Sequence, residues 1–411
     1  MKKVLVFILA VTLILSMAAC TQTESPAQPA PDAAPNGDSS NQTNATATPE
    51  PTGGVVKIGI IGARTGTSVL YGDMTIHAAE AAADAINAAG GILGNTIEFV
   101  IEDEGSDLQS SVNATQKLID ENKDLLAILG SQYSTRILST IDVINEGAVP
   151  LFTFGSNATL LEQNCEWLWM MRVADSYTGV GIHQVASDYL KCSNPAFIYS
   201  TNAFGQGLYD VVSKQFTDAG VTLNPRLAFG VGETEVNFTN QLTQIANSDA
   251  DCLIALGTDI APYVVKQAYA AGITIPRIGS MSFANQTTFT QCTEEETNGW
   301  YSVCEWSTDV KHAESQAYMD YVMNTYGSLD TTGQPGAYDA MWVLKAACEA
   351  AGTVTDHAAI NKAIGETNGI VGASGTLAAY GTQCLCTELV ITQNEGSAAK
   401  VQSRISVRTA G

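Results

Sequence analysis

Apolar residues along this chain fall into short unbroken runs, separated by longer stretches with helical spacing. Val56, Ile58, Ile60 and Ile61 form the kind of run a parallel strand carries when helices cover both of its faces. Helix formers follow from Asp73 to Ala89, stop at Gly90-Gly91, and give way to a second strand ending at Asp103. Val55 to Asp103 is thus one βαβ unit. The alternation continues with a strand at Leu125 to Gly130, a helix from Arg136 to Glu146 and a strand at Val149 to Phe154. A second series starts near Asp175, with strands at Pro195 to Tyr199, Leu227 to Val231, Asp251 to Leu256 and Arg277 to Ser280. Val55 to Gly411 is too long for one core and suits two α/β domains.

Each strand runs into a loop of hydroxyls and small residues before a helix whose first amides are unpaired. Open α/β sheets take ligands outside the carboxyl ends of their strands, so Thr65 to Gly72, Ser131 to Thr135 and Gly155 to Thr159 lie where a small anion docks. The same residues, Ser134, Thr135, Ser156 and Asn157, are also what plain helix caps require, and both readings stay open at this level.

Two other functions lose support. The glycines after the first strand fall at Gly59, Gly62 and Gly66, without the G-x-G-x-x-G spacing of a dinucleotide site. His77, His183, His312 and His357 are scattered, with neither metal-ligand spacing nor an adjacent nucleophile, so neither an enzyme nor a metal site is expected. No cofactor is implied. The formal charge of −23 argues against nucleic acid and against adhesion to anionic lipid.

The N-terminus points outside the cytoplasm. Lys2 and Lys3 precede an apolar run from Val4 to Leu15, and Ser-Met-Ala-Ala leads into Cys20. This resembles a bacterial lipoprotein signal, with Met17 where Leu is usual. The resemblance implies a signal peptide over 1–19, Cys20 as the lipidated first residue, and a cell-membrane location facing outward. An ordinary secretory signal cut near Ala19 is the alternative. Residues 20–54 are rich in Pro, Ala, Thr, Ser, Asn and Gln and cannot offset the entropy of folding, so they read as a tether. As a flexible coil such a tether spans about 30 Å.

Tyr71-Gly-Asp, Ala85 to Asn95 (AINAAGGILGN), Gly130 to Ser134, Asn202-Ala-Phe-Gly-Gln-Gly, Ala268 to Gly272 and Gly336-Ala-Tyr-Asp-Ala follow one another in a familiar order. The chain resembles the periplasmic-binding-protein-like type I solute receptors, which include the branched-chain amino acid receptors of ABC transporters. That resemblance implies two doubly wound α/β lobes joined by three hinge crossovers and closing on a ligand. It implies an N-terminal lobe of 55–173 plus 307–375, a C-terminal lobe of 174–306 plus 376–411, and membrane permease subunits as partners. The expected ligand is a small amino acid, branched-chain or otherwise apolar; the alternative is an amide, urea-like compound or carboxylic acid.

By the same resemblance, Ser134 takes the ligand's carboxylate, and Gly155, Ser156 and Asn157 hold carboxylate and ammonium. Tyr71 stands beside the ligand from the first loop, and Phe204 replaces a tyrosine. Thr258 or Asp259 makes the next contact. Met281 occupies the place of the glutamate that meets the ligand's ammonium in the branched-chain receptors. A buried ammonium needs an anion, which leaves Asp259 as the expected partner or argues for a different ligand.

Without Cys20, eight cysteines remain. Cys292 and Cys304 are close enough in sequence to form a disulfide, whereas Cys384 and Cys386 are too close for an easy bridge to each other. Cys252 and Cys348 sit in apolar settings suited to buried thiols.

Overall fold

The structure is a computed structural model describing residues 53–329 and 335–407. Cys20, the signal segment and nearly all of the tether lie outside the described residues.

The first stretch contains β1 (Val55–Gly62), α1 (Val69–Ala88), β2 (Thr96–Asp103), α2 (Leu108–Glu121), β3 (Leu125–Leu129), α3 (Ser134–Gly147), β4 (Leu151–Thr153) and β5 (Leu168–Met170). Its strands form one five-stranded sheet in the order β2-β1-β3-β4-β5, all parallel. β3 is buried along its whole length, because helices lie on both faces of the sheet. Ile137, Ile141 and Ile144 of α3 pack on one face with Leu118 and Ile119 of α2, while α1 lies on the other.

The second stretch contains α4 (Asp175–Gln184), β6 (Pro195–Ser200), α5 (Ala203–Asp218), β7 (Ala228–Val231), α6 (Thr239–Ala246), β8 (Cys252–Leu256), α7 (Ala261–Ala270), β9 (Arg277–Gly279), α8 (Gln286–Gln291), α9 (Glu294–Thr297) and β10 (Trp300–Cys304). It is followed by α10 (Ala313–Tyr326), α11 (Pro335–Ala351), α12 (His357–Gly365), the hairpin of β11 (Asn368–Val371) and β12 (Thr376–Ala378), and finally β13 (Glu388–Glu395) and β14 (Ala398–Ser406). The second sheet has seven strands in the order β14-β13-β10-β9-β8-β6-β7. α10 and α11 instead return to pack on α1. The chain therefore passes between the two halves at 171–174, 305–312 and 379–387, giving the expected two α/β lobes.

These crossings are fastened to one another. Arg172 in the first forms a buried ion pair with Glu305 in the second, Nε to Oε1 at 3.1 Å, and Glu305 also accepts from the Val173 amide at 3.2 Å. The third lies against the first: the Cys384 thiol donates to the Arg172 carbonyl at 3.0 Å.

Two expectations change. α1 begins at Val69, ahead of Asp73, and Gly72 in its first turn packs directly on the end of β1; a Cβ there would lie 2.0 Å from the Ala63 carbonyl oxygen. Tyr71 is consequently a residue of the first helical turn and not of a loop. The disulfide is Cys192–Cys252, while Cys292 and Cys304 are both free thiols. β6 and β8 are neighbours in the sheet, with Pro195 opposite Cys252, which brings the two bridged cysteines to a Cα separation of 5.8 Å. Cys304 is instead carried into the middle of the sheet by β10, whereas Cys292 ends α8 with its thiol on the Pro262 carbonyl at 3.4 Å. Cys252, expected as a plain thiol, is thus bridged; Cys348 is a buried free thiol as expected.

Candidate functional site

The carboxyl ends of β1, β3 and β4 face those of β6, β8 and β9 across the gap between the lobes. Ser134 opens α3, whose N-terminus has no side-chain cap, so its partial positive charge is available to an anion. The Ser134 hydroxyl is buried and accepts from the amides of Ser156 and Asn157, each at 3.2 Å. Gly155 is required between them: a Cβ there would stand 2.5 Å from Ile137 Cδ1 and 2.9 Å from Ser134 Oγ. Asn157 has two tasks. Its Oδ1 accepts from the Thr159 amide at 2.9 Å, the capping role the sequence allowed, and its Nδ2 donates across the gap to the Ala203 carbonyl.

The opposing wall starts with Phe204 in the first turn of α5, its ring 5.8 Å from the Arg172 guanidinium. Phe204 and Met281 are buried in the same apolar cluster, Met281 lying in the short turn Met281–Ala284 after β9. Tyr71 reaches over from α1, and its hydroxyl accepts from Asn285 Nδ2 at 3.5 Å. Burial, then the nearby Asp259, pushes the Tyr71 phenol well above its ordinary range. Its ring meets Tyr133 edge-on, with centroids 5.7 Å apart.

Thr258 and Asp259 lie farther out, with Tyr71, on the wall of an open cleft of about 400 Å³. Asp259 accepts from the Tyr133 hydroxyl at 3.0 Å, a bond between lobes. Its carboxyl is pushed up to about 6, chiefly by burial and further by Glu233, against the pull of Tyr133 and Arg136. Ser134, Gly155, Ser156, Asn157, Phe204 and Met281 are therefore buried in the interior, Thr258 and Asp259 sit on the outer cleft, and Tyr71 divides the two zones.

One residue escaped the sequence reading. Asp175 opens α4 just past the first crossing and is 1% exposed. Neither of its carboxylate oxygens has a hydrogen bond of good geometry among the described residues, although the Ser156 hydroxyl adjoins the carboxylate closely enough to favour its charged form. Burial pushes the Asp175 carboxyl up to about 7 against the attraction of Arg172. In the sequence this aspartate looks like an ordinary first-turn helix acid; only the crossing that folds α4 back beneath Ser156 buries it.

Comparison with known proteins agrees with this architecture. The profile of the family described as periplasmic binding protein matches residues 55–383. An amino acid binding protein of Pseudomonas aeruginosa is 30% identical over 226 residues, covering 53% of this chain and 58% of that protein, so the chain spans little more than half of that relative's length. The substrate binding protein of a branched-chain amino acid transporter from Streptococcus pneumoniae, solved with isoleucine, superposes with a TM-score of 0.77 at 22% identity, covering 86% of this chain and 100% of that one. A solute binding protein of an ABC transporter from R. palustris, solved with benzoate, superposes at 0.74 with 19% identity, covering 87% of this chain and 98% of that one. At such identities the two structures speak for the fold alone.

Proposed function

Because the chain belongs to the periplasmic binding protein family, as a two-lobed type I receptor, we propose that it captures an α-amino acid between its lobes for an ABC uptake transporter. The lobes in this reading are 55–173 plus 307–375 and 174–306 plus 376–411, except that the pairing of β12 with β11 keeps 376–378 with the first lobe. Lipid carried on Cys20 anchors the protein to the outer side of the cell membrane, and permease subunits take the ligand from it.

One observation carries the ligand class. Ser156 belongs at once to the segment bonded to Ser134 and to the immediate surroundings of the buried Asp175, whose carboxylate its hydroxyl adjoins. In an α-amino acid the carboxylate and ammonium are separated by a single carbon, so their partners must adjoin. On binding, the Ser134 hydroxyl and the Ser156 and Asn157 amides turn to the carboxylate, helped by the α3 N-terminus, and the ammonium meets Asp175. That assigns to Asp175 the role that Met281 cannot fill and that was expected of Asp259, one of whose oxygens is already taken up by Tyr133. Phe204, Met281 and Tyr71 then flank the aliphatic part of the side chain.

The test is calorimetry on ligand-stripped protein. Ser134→Ala should weaken amino-acid binding by roughly 1–3 kcal/mol, the cost of leaving a buried charged acceptor short of a donor. Unchanged affinity would remove Ser134 from the site. Met281 favours a second reading, a carboxylic acid without an ammonium; tight binding of benzoate together with indifference to amino acids would select it.

A further inference from the structure

Tyr133 and Asp259 meet across the gap between the lobes, the phenol donating to the carboxylate at 3.0 Å. The rest of Tyr133 is fastened to its own lobe. Its ring covers the Arg136 guanidinium, 4.0 Å from the ring centre, and meets Tyr71 edge-on. Its amide donates to the Ser131 hydroxyl at 3.3 Å. Arg136 is itself held by the buried Glu104 at 2.9 Å, the Ser68 hydroxyl at 2.9 Å and the Ser106 carbonyl at 3.1 Å, and Glu104 also accepts from Ser131 at 3.0 Å. A buried ion pair is a poor source of net stability. Here it fixes an aromatic ring so that the hydroxyl alone reaches the other lobe. The Ser68 hydroxyl adjoins that of Tyr133 from the same side, so parting of the lobes leaves the phenol a neighbour and takes the donor away from Asp259. Asn157 and Tyr71 also bond across the gap, to the Ala203 carbonyl and to Asn285, but both belong to the ligand site described above.

We infer that the bond from Tyr133 to Asp259 is a latch on the closed form. The two are positioning residues: they touch no part of the ligand and set, through the balance between open and closed lobes, how tightly and for how long it is held. The latch goes beyond the ligand assignment above and does not depend on it. A hydrogen bond of 3.0 Å is lost once its atoms part by about another 0.5 Å, so a slight opening breaks it completely. Its contribution therefore falls on the closed form alone, and its removal lowers the affinity for different ligands by one common factor.

Tyr133→Phe keeps the ring on Arg136 and removes only the hydroxyl; Asp259→Ala removes the acceptor, and Asp259→Asn restores one. Calorimetry and stopped-flow release are measured on ligand-stripped protein with L-isoleucine and with benzoate as separate probes. Tyr133→Phe and Asp259→Ala should each weaken a probe that binds by about fivefold or more and speed its release, the worth of one hydrogen bond. The double variant should match the weaker single variant within about twofold, and Asp259→Asn should recover most of the loss. Where both probes bind, the factor should be common to them. Lobe separation is read without any probe from nitroxides on Leu93→Cys and Tyr269→Cys, exposed positions at the ends of α1 and α7 remote from the gap, in a Cys292→Ser background. Tyr133→Phe should raise the share of the longer distance. Affinities that stay within about twofold of the parent, losses that add, or a factor that differs between the probes overturns the latch and leaves the ligand assignment standing. If neither probe binds, both ligand readings fall, and an unchanged distance distribution then overturns the latch as well.

Discussion

Gly207, in α5, is the point where closure of the lobes can be tested without replacing a ligand-binding side chain. A methyl group at this position would lie 2.4 Å from Asn157 Nδ2 in the opposite lobe and 3.7 Å from a carboxylate oxygen of Asp175. Comfortable contacts between heavy atoms begin near 3.5 Å, so the approach must yield by about 1 Å. Asn157 has little freedom to yield, since Oδ1 is held by the Thr159 amide and Nδ2 by the Ala203 carbonyl. Overpacking of this kind costs about 1–3 kcal/mol. The clash exists only when the lobes are together, so the penalty falls on the closed form. Gly207→Ala should weaken amino-acid binding by roughly 5- to 150-fold through a shift toward the open form. Calorimetry gives the affinity, and thermal unfolding of ligand-free protein gives the control, which should hardly move. Affinity within about twofold of the parent, or a ligand-free stability loss as large as the binding loss, would refute the reasoning.

Three further outcomes follow from the structure. Asp175 is held near pH 7 by burial, above the ordinary carboxyl range, so the folded protein takes up a proton there that the unfolded chain lacks, and its contribution to ligand-free stability is lost as pH rises through about 7. An incoming ammonium needs the ionised form, so amino-acid affinity should strengthen from pH 5.5 to pH 8, and Asp175→Asn should remove most of that dependence by calorimetry; Asp259, near 6, accounts for what persists at the acidic end. Replacing Cys192 and Cys252 by serine should lower stability in urea by about 2–4 kcal/mol, because the bridge closes a long loop, while a Cys292→Ser, Cys304→Ser double variant should form the same disulfide as the parent. Cys20→Ala should abolish lipidation and release the protein from the membrane fraction, and retention at the parental level would contradict the anchor.

Much of the fold was legible because parallel strands covered on both faces leave unbroken apolar runs; β3 and β8 are buried at every position. The polar loops after β3 and β4 were legible for the same reason, being the places where those runs stop. Close approach of backbones was not. Gly72 reads as a loop glycine, yet it lies in the first turn of α1, where only a hydrogen fits against Ala63. The disulfide was hidden by a separation of 60 residues that only the order of strands in the sheet removes. Asp175 was hidden because nothing local distinguishes a buried helix-start aspartate from an exposed one; its environment is made by Arg172 of the adjoining crossing together with Glu305 of the second crossing and Ser156 of the other lobe.

The central claim is that an α-amino acid is held by both of its charged groups. Its most direct test is a single calorimetric comparison on ligand-stripped protein, setting L-amino acids against the matching carboxylic acids without the ammonium and the matching amines without the carboxylate. The account predicts saturable binding of the amino acids, with each truncated analogue weaker by at least about tenfold, since each leaves either Asp175 or the Ser134 pocket unmatched. Carboxylic acids bound as tightly as amino acids would contradict it.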